Sequence, residues 1–588
     1  MSNQEIAKLL KNVATAYTIK NENKFRFQII AYLKASETIA GLNGELLEYY
    51  KEEKLDQLPG IGPTLQSHLI ELFKTKKVKH FDWVLKGIPK SIFVLTDIPT
   101  FGPKKAFKLV SFFKLNNPKT VIDQLEKVAM SGKIASLEGF GEKSQSDILQ
   151  AISEFKQGKG KTTRMVLPYA FEIAQKITDY LKSEKSIERV EALGSLRRRA
   201  ATIGDIDFAV ATKNPKKAIE HFINYPYKER VIEKGDVSAS ILVSGGRQID
   251  LLIQPVESFG SLLQHFTGSK NHNVHLREYA LKKGLSLSEY GIKKLKSKGK
   301  IRKYSSEEDF YNALSLDLIP PEIREDQGEI EAAIEKRLPK LVELTDIKGD
   351  FHIHSSFPIE PSHDLGKDSM EDMLEKARQL KYEYLAFSEH NPSTSKHSNK
   401  EIYELLKKRD EKIEQLKSVN KYVRIIKLLE VDILPNGDLA IDDKSLNLLD
   451  GAIVSIHSVF NMDREKMTQR VLKGLSHKKA KILAHPTGRL LNTRPGFELD
   501  FEKIFEFCKK NNKALEINSW PQRLDLFDTL IKQAVDRKIK LAIDSDSHAV
   551  THMELQKYGV FMARRGWATK NDILNTMSYN ELIDWFND

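Results

Sequence analysis

Seven short apolar runs between residues 351 and 548 each end at or near an imidazole or a carboxylate, and these polar ends recur every 27 to 40 residues. They are residues 351–354, 384–390, 428–433, 452–457, 481–485, 515–517 and 541–548, with helical patterns such as residues 369–380 and 525–539 between them. Repeated strand-then-helix units predict a parallel barrel, whose strand ends converge on one rim. On that rim the pattern places His352, His354, His390, Glu430, His457, His485, Asp546 and His548. Ten of the sixteen histidines follow residue 350, which suits a site rather than scattered core positions. Imidazole nitrogen with carboxylate oxygen fits Zn²⁺, Mn²⁺ or iron, and clustered ions of this kind activate hydroxide against a phosphoester.

A second constellation lies in residues 194–207, Gly-Ser-Leu-Arg-Arg-Arg-Ala-Ala-Thr-Ile-Gly-Asp-Ile-Asp. In an extended chain, alternate side chains share a face, so Asp205 and Asp207 point one way and Ile206 points into a core. Paired carboxylates repel one another unless a divalent cation such as Mg²⁺ or Mn²⁺ lies between them. Asp250 sits in another apolar run, residues 247–253. Pairing that run beside the first would complete a two-metal site suited to nucleotidyl transfer.

A chain of 588 residues is too long for one core, and about three to five domains are expected. Residues 341–588 hold 38 Lys and Arg against 39 Asp and Glu, so the whole excess of the +12 net charge lies in the first 340 residues. Basic charge confined to the part with the nucleotidyl-transfer pattern points to a polyanion bound there. Three glycine turns recur in that part: Leu58-Pro-Gly-Ile-Gly-Pro63, Ile98-Pro-Thr-Phe-Gly-Pro103 and Leu137-Glu-Gly-Phe-Gly-Glu142. Each precedes a helical pattern, and Gly60, Gly62, Thr100, Gly102, Gly139 and Gly141 are the candidate contacts to a nucleic-acid backbone. The single cysteine, Cys508, excludes an intrachain disulfide framework, and no apolar run approaches membrane-spanning length. A cytoplasmic protein with no membrane association is the expectation.

The turns resemble helix-hairpin-helix motifs. In chain order they are followed by Gly194-Ser195 with Arg198, Gly204-Asp-Ile-Asp207, Asp250, Phe266-Thr-Gly-Ser269 and Leu287-Ser-Glu-Tyr-Gly291. That order resembles the family X DNA polymerases over residues 1 to about 325. The resemblance implies that Asp205, Asp207 and Asp250 hold Mg²⁺ or Mn²⁺ and are catalytic. Ser195 and Arg198 would take the β and γ phosphates, with Arg164 reaching the triphosphate and Gly204 lining the nucleotide site. His265, Phe266 and Gly268 would meet the sugar, and Asn273 and Arg277 the nascent pair and template. The departures are Arg199 where the family usually has Gly, Ala201 where bacterial members commonly have Glu, and His68 where polymerase beta has its Schiff-base lysine. Imidazole cannot form an imine, so lyase activity is not expected.

Residues from about 345 to 588 resemble a PHP domain, which implies up to three ions of Zn²⁺, Mn²⁺ or iron and a 3′-5′ exonuclease. The family's Ser-Asp-Gly is replaced here by residues 355–366, which leaves Asp364 or His363 as a ninth ligand, and Glu389 stands where Asp is usual. The expected fold is multidomain α+β and α/β: helical N-terminal helix-hairpin-helix domains (1–85 and 86–158), a nucleotidyltransferase palm (159–258) and a thumb (259–325). A linker (326–345) and a C-terminal PHP (β/α)7-type barrel (346–588) follow. The implied function is gap-filling DNA synthesis in repair with 3′-end processing, by a monomer acting on gapped or primer-template DNA and dNTPs. Two rivals are a phosphoesterase whose polymerase half only delivers DNA, and a non-catalytic DNA-binding scaffold.

Overall fold

The computed structural model describes every residue except 2, 41–45, 52, 59, 99, 100, 157–163, 244–246 and 296–299. Thr100 therefore lies outside the described residues. The chain forms two compact units. The first comprises residues 1–165, 223–234 and 239–249; the second comprises 166–222, 235–238 and 250–588.

The first unit is mainly helical and has two separate apolar cores. One is built from residues between Ile6 and Val84, the other from residues between Ile92 and Phe155. Helices Pro63–Thr75 and Pro103–Phe113 begin directly after Gly62 and Gly102, each with proline at the first helical position. Proline's missing N–H costs nothing there, because the first turn has no intrahelical acceptor. Strands Lys228–Lys234 and Ser238–Val243 pair antiparallel.

In the second unit, strand Ile187–Ala192 pairs antiparallel with Ile206–Thr212. The latter is buried almost throughout, and Asp207 is its one residue that is not. Helices Phe259–Thr267 and Lys270–Lys282 follow, and a core of Leu276, Tyr304, Phe310, Leu316 and neighbours closes the region. Residues 326–345, expected as a linker, carry helix Glu329–Ile334, whose fully buried Glu329 pairs with His272 Nδ1 at 2.7 Å.

The remainder is a parallel barrel. Strands Gly349–Asp350, Tyr384–Phe387 and Arg424–Lys427 pair in one sheet; Glu430–Asp432, Ala452–Ser455, Ala480–Leu483, Ala514–Asn518 and Leu541–Asp544 pair in the next. Arg424–Lys427 and Glu430–Asp432 are parts of one strand interrupted at Leu428 and Leu429, and the bridge His390↔Glu430 joins the sheets. The bridge Ile353↔Ser547 joins the first strand's extension to the last and closes the ring at seven. The sequence expectation of a seven-fold barrel in a multidomain chain is met. Its helices start where capping demands: Ser369 and Ser398 each accept a bond from the third helical N–H, and the acidic residue there bonds back. That is why helix Met370–Gln379 begins one residue inside the expected segment.

Buried ion pairs lock the middle of the second unit. Glu307 accepts from Arg324 Nη1 and Arg197 Nη2, both at 2.6 Å, and the Arg324 side chain is wholly buried. Burial would raise the Glu307 carboxyl, but Arg324 and Arg197 outweigh it and hold it at about 2. Its folded value thus lies below the ordinary one, so the stabilisation is present above about pH 4.5 and is lost as pH falls toward 2. Glu307→Gln strands a buried guanidinium and is expected to cost about 3–5 kcal/mol at neutral pH. Calorimetry should show the gap from wild type narrowing as pH falls below 4.5; equal melting temperatures at pH 7 would contradict the assignment.

Candidate active sites

The loop before strand Ile206–Thr212 is tied to the strand that bears its carboxylate: Leu193 N–H donates to the Asp207 carbonyl at 2.8 Å. Gly194 follows with φ +56°, a backbone conformation that a side chain would strain, and a Cβ there would point at Asp207 Oδ2, 3.8 Å away. Burial, then Asp205 and Asp250, pushes the Asp207 carboxyl up to about 6. The charges of Asp205 and Asp250 are thus felt at the half-buried Asp207, and carboxylate oxygens are the donor type that divalent cations prefer.

Of the nucleotide residues named from sequence, Arg198 reaches Thr267, which lies in the chain between Phe266 and Gly268. Arg197 Nη1 donates to Thr267 Oγ1 at 2.6 Å and Arg198 Nη1 to the Thr267 carbonyl at 2.5 Å. Loop 194–200 is thereby joined to His265, Phe266 and Gly268. Arg198 Nε also donates to Glu325 Oε1 at 2.9 Å. Asn273 faces inward, donating to the His265 carbonyl at 2.7 Å, while Arg277 lies 3.5 Å from His265 Nδ1. Burial lowers His265. Gly204 is exposed beside Asp205, and Arg164 is exposed at the entry to strand Met165–Val166. In the first unit Gly60, Gly62, Gly102, Gly139 and Gly141 are all exposed. Gly62 and Gly102 cap their helices with no side-chain bond, leaving backbone N–H groups open to a phosphate. His68 is bonded to Tyr32 at 2.9 Å and stacked on His80 at 4.8 Å.

The barrel rim is organised by Glu430, which is 1% exposed. Its Oε2 lies 2.8 Å from His390 Nδ1 and 3.2 Å from His352 Nε2; its Oε1 lies 3.1 Å from His485 Nε2 and 3.4 Å from His457 Nε2. Asp546 Oδ1 lies 3.4 Å from His354 Nε2, and the His354 and His548 rings stack at 4.1 Å. His352 Nδ1 is held at 2.6 Å by Glu516, which orients the ring from behind. Burial alone would lower His352, but Glu516, Glu430 and Asp546 push it well above its usual range. Burial lowers His354, with His548 and His390 adding to the effect.

His352 Nε2, His390 Nδ1, His548 Nε2, Glu430 Oε2 and both His354 nitrogens are buried without a hydrogen-bond partner of proper geometry. Orphaned nitrogens aimed at one another are expensive unless a cation joins them, so this donor set fits metal ions. Four triplets have ligand atoms within 4.8 Å of one another: His354, His390 and His548; His352, His354 and Asp546; His363, Asp432 and His457; and His390, Glu430 and His457.

With this geometry in place, the comparisons decide the family. The chain is 33% identical over 584 residues, 99% of each protein, to the DNA polymerase/3'-5' exonuclease PolX of Bacillus subtilis (strain 168). This chain belongs to the PolX family. Residues 1–78 match a helix-hairpin-helix domain, 262–325 the DNA polymerase beta thumb and 350–520 the PHP domain. It is also 21% identical to DNA polymerase lambda of Rattus norvegicus over 310 residues, 49% of each chain. A 100-residue stretch is 31% identical to a probable phosphatase of Acetivibrio thermocellus, covering 16% of this chain and 39% of that one.

In this PolX member Asp432 is a candidate donor the sequence reading passed over. It stands two residues after Glu430 in one strand, the same alternation that singled out Asp205 and Asp207, and its Oδ1 lies 2.8 Å from His457 Nδ1. His363 Nε2 lies 3.3 Å from the same oxygen, whereas Asp364 joins none of the four triplets and acts on His390 and His548 through its charge. Glu389 joins none either. Its longer side chain reaches the buried Arg409 at 2.7 Å and the Ser355 hydroxyl at 2.5 Å, which anchors the loop entering the site. Gly366 ends that loop where a Cβ would meet the His354 carbonyl at 1.9 Å, so only glycine fits. Metal analysis should find that His363→Ala loses more bound ion than Asp364→Ala; the reverse order would return the ninth ligand to Asp364.

Proposed function

We propose that this protein fills gaps in DNA by template-directed synthesis and trims or cleans 3′ ends with its barrel. The observation that carries the reading is the presence of two separate acidic donor sets in one chain, one beside a nucleotide loop and one on a barrel rim. The printed description of the Bacillus relative, a DNA polymerase and 3′-5′ exonuclease, pairs the same two chemistries. The proposed division runs as the sequence reading has it: hairpin domains at 1–85 and 86–158, palm 159–258, thumb 259–325, connector 326–345 and barrel 346–588.

In the palm, Asp205, Asp207 and Asp250 would hold Mg²⁺ or Mn²⁺, which supply Lewis acidity to an in-line displacement. Ser195 and Arg198 would grip the leaving phosphates, with Arg164 and Gly204 at the same site. His265, Phe266, Gly268, Asn273 and Arg277 would position sugar and base pair. Gly60, Gly62, Gly102, Gly139 and Gly141 would let backbone N–H groups approach DNA phosphates, which gives affinity without sequence choice. On the rim His352, His354, His363, His390, Glu430, Asp432, His457, His485, Asp546 and His548 would hold up to three ions of Zn²⁺, Mn²⁺ or iron. The enzyme is proposed to work as a cytoplasmic monomer.

Asp207→Asn should abolish incorporation while DNA affinity stays within a few-fold, and should leave 3′ shortening intact. Glu430→Ala should do the opposite, because one carboxylate serving several imidazoles cannot be lost without disturbing more than one ion. A gapped-DNA assay run for extension and degradation in parallel separates the cases. Full extension by Asp207→Asn would leave the phosphoesterase rival standing, and undiminished 3′ degradation by Glu430→Ala would remove the nuclease from the barrel. No borohydride-trapped adduct with an abasic end is expected, since His68 offers no primary amine; an adduct mapped to a lysine in residues 1–85 would refute this.

A further inference from the structure

Three successive arginines, Arg197, Arg198 and Arg199, are held by three different parts of the second unit. Arg197 is paired with Glu307 of helix Glu307–Ala313. Arg198 is paired with Glu325, at the end of the thumb match. Arg199 is gripped by the barrel: its guanidinium carbon lies 4.7 Å from the ring centres of both Phe171, in helix Leu167–Lys182, and Phe561, in helix Gln556–Arg565. Arg199 has φ 57°, the backbone region that suits the glycine this family usually has there. An arginine in that place meets strain that glycine avoids, and the sandwich between two aromatic rings offsets it.

The same barrel helix ends in Arg565, which is buried and turns toward the nucleotide loop. Arg565 Nη1 donates to the Arg198 carbonyl at 2.7 Å and to Glu325 Oε1 at 3.0 Å. Its Nη2 bonds Asp528. Glu325 Oε1 is therefore shared by two guanidinium groups, one from the palm and one from the barrel. Arg564 adds bonds to Glu322 at 2.8 Å and to the Val342 carbonyl at 3.1 Å, so the helix end grips the chain on both sides of Glu325.

We infer that Arg565 is a positioning residue for nucleotide binding: its guanidinium shares Glu325 Oε1 with Arg198 and so weakens the hold of that carboxylate on the Arg198 guanidinium, a hold that an incoming triphosphate must displace. The inference rests on the proposed role of Arg198. The physical reason is competition for one charge. A carboxylate beside Arg198 neutralises it and repels an incoming polyanion, and a second guanidinium on the same oxygen cancels that effect. Without Arg565, Glu325 is left to Arg198 alone, and its existing bond to the guanidinium that should meet phosphate is strengthened. The bond to the Arg198 carbonyl acts in the same direction, fixing the loop from which that side chain projects.

The experiment measures steady-state incorporation on gapped DNA by the full-length protein. Arg565→Met is expected to raise KM for dNTP about tenfold, the size of one charge-assisted hydrogen bond. It should leave kcat, gapped-DNA affinity and 3′ degradation within twofold of wild type. Arg565→Lys, which keeps the charge, should recover most of the loss. Adding Glu325→Gln to Arg565→Met should bring KM back toward wild type, because the competing charge is gone. A merely structural role would lower kcat and melting temperature together and would not be reversed by removing a second partner. An unchanged KM in Arg565→Met, or no recovery in the double variant, overturns the inference. Should Arg565→Met not fold, Glu325→Gln alone decides: a KM below wild type supports the competition, and an equal or higher KM overturns it. Arg198→Met separates the two layers. If it leaves KM unmoved, the proposed role of Arg198 itself falls; if it raises KM while Arg565→Met does not, only the coupling to the barrel fails.

Discussion

A buried ion must be matched, and this chain is arranged around that requirement. Glu430 is almost wholly buried with four imidazoles on its two oxygens. An isolated carboxylate in such a place would cost several kcal/mol or take up a proton. The strand ends supply the match because parallel strands with helical crossovers bring every C-terminal end to one rim. The His352 imidazole is oriented from behind in turn by Glu516. The first layer carries the chemistry; the second fixes which nitrogen points inward.

The same requirement acts at a distance from the rim. Glu307 with Arg324 and Arg197, Glu329 with His272, and Glu389 with Arg409 are all buried or nearly buried pairs. Each joins segments far apart in sequence, and none is replaceable by one partner alone. With the bonds from Arg564 to Glu322 and from Arg565 to Glu325, they connect residues 166–222, 259–334 and the barrel within the second unit. A loop with three arginines in a row would be expected to repel itself into solvent. Here it is immobilised, since every guanidinium has an acceptor or an aromatic face of its own.

Two of the departures from family pattern that the sequence exposed, Arg199 and Glu389, acquire physical reasons in the fold. Arg199 replaces a glycine because a pair of phenylalanines stands ready to receive it, one of them from the barrel. Glu389 replaces an aspartate and is withdrawn from the metal triplets to hold Arg409 and the Ser355 loop. In both cases the altered residue has been moved from local geometry to longer-range support.

Alternation and spacing alone led to the expectation that Asp205 and Asp207 share a face, that seven strand ends converge, and that eight of their residues are candidate metal donors. These features are local periodicities, and a period of two or a repeated strand-helix unit is written in the order of residues. The chain's basic half and its glycine turns were likewise legible, because composition and turn chemistry need no knowledge of packing. Only the tertiary structure distinguishes His363 from Asp364, neighbours in sequence, by bringing the His363 ring to Asp432. Asp432 itself obeyed the alternation rule but needed His457 beside it to be recognised as a donor. The sharing of Glu325 by Arg198 and Arg565 joins residues 198, 325 and 565, and no periodicity spans such separations. Contacts of that range follow from how helices and loops are laid against one another, which is settled by burial across the whole unit.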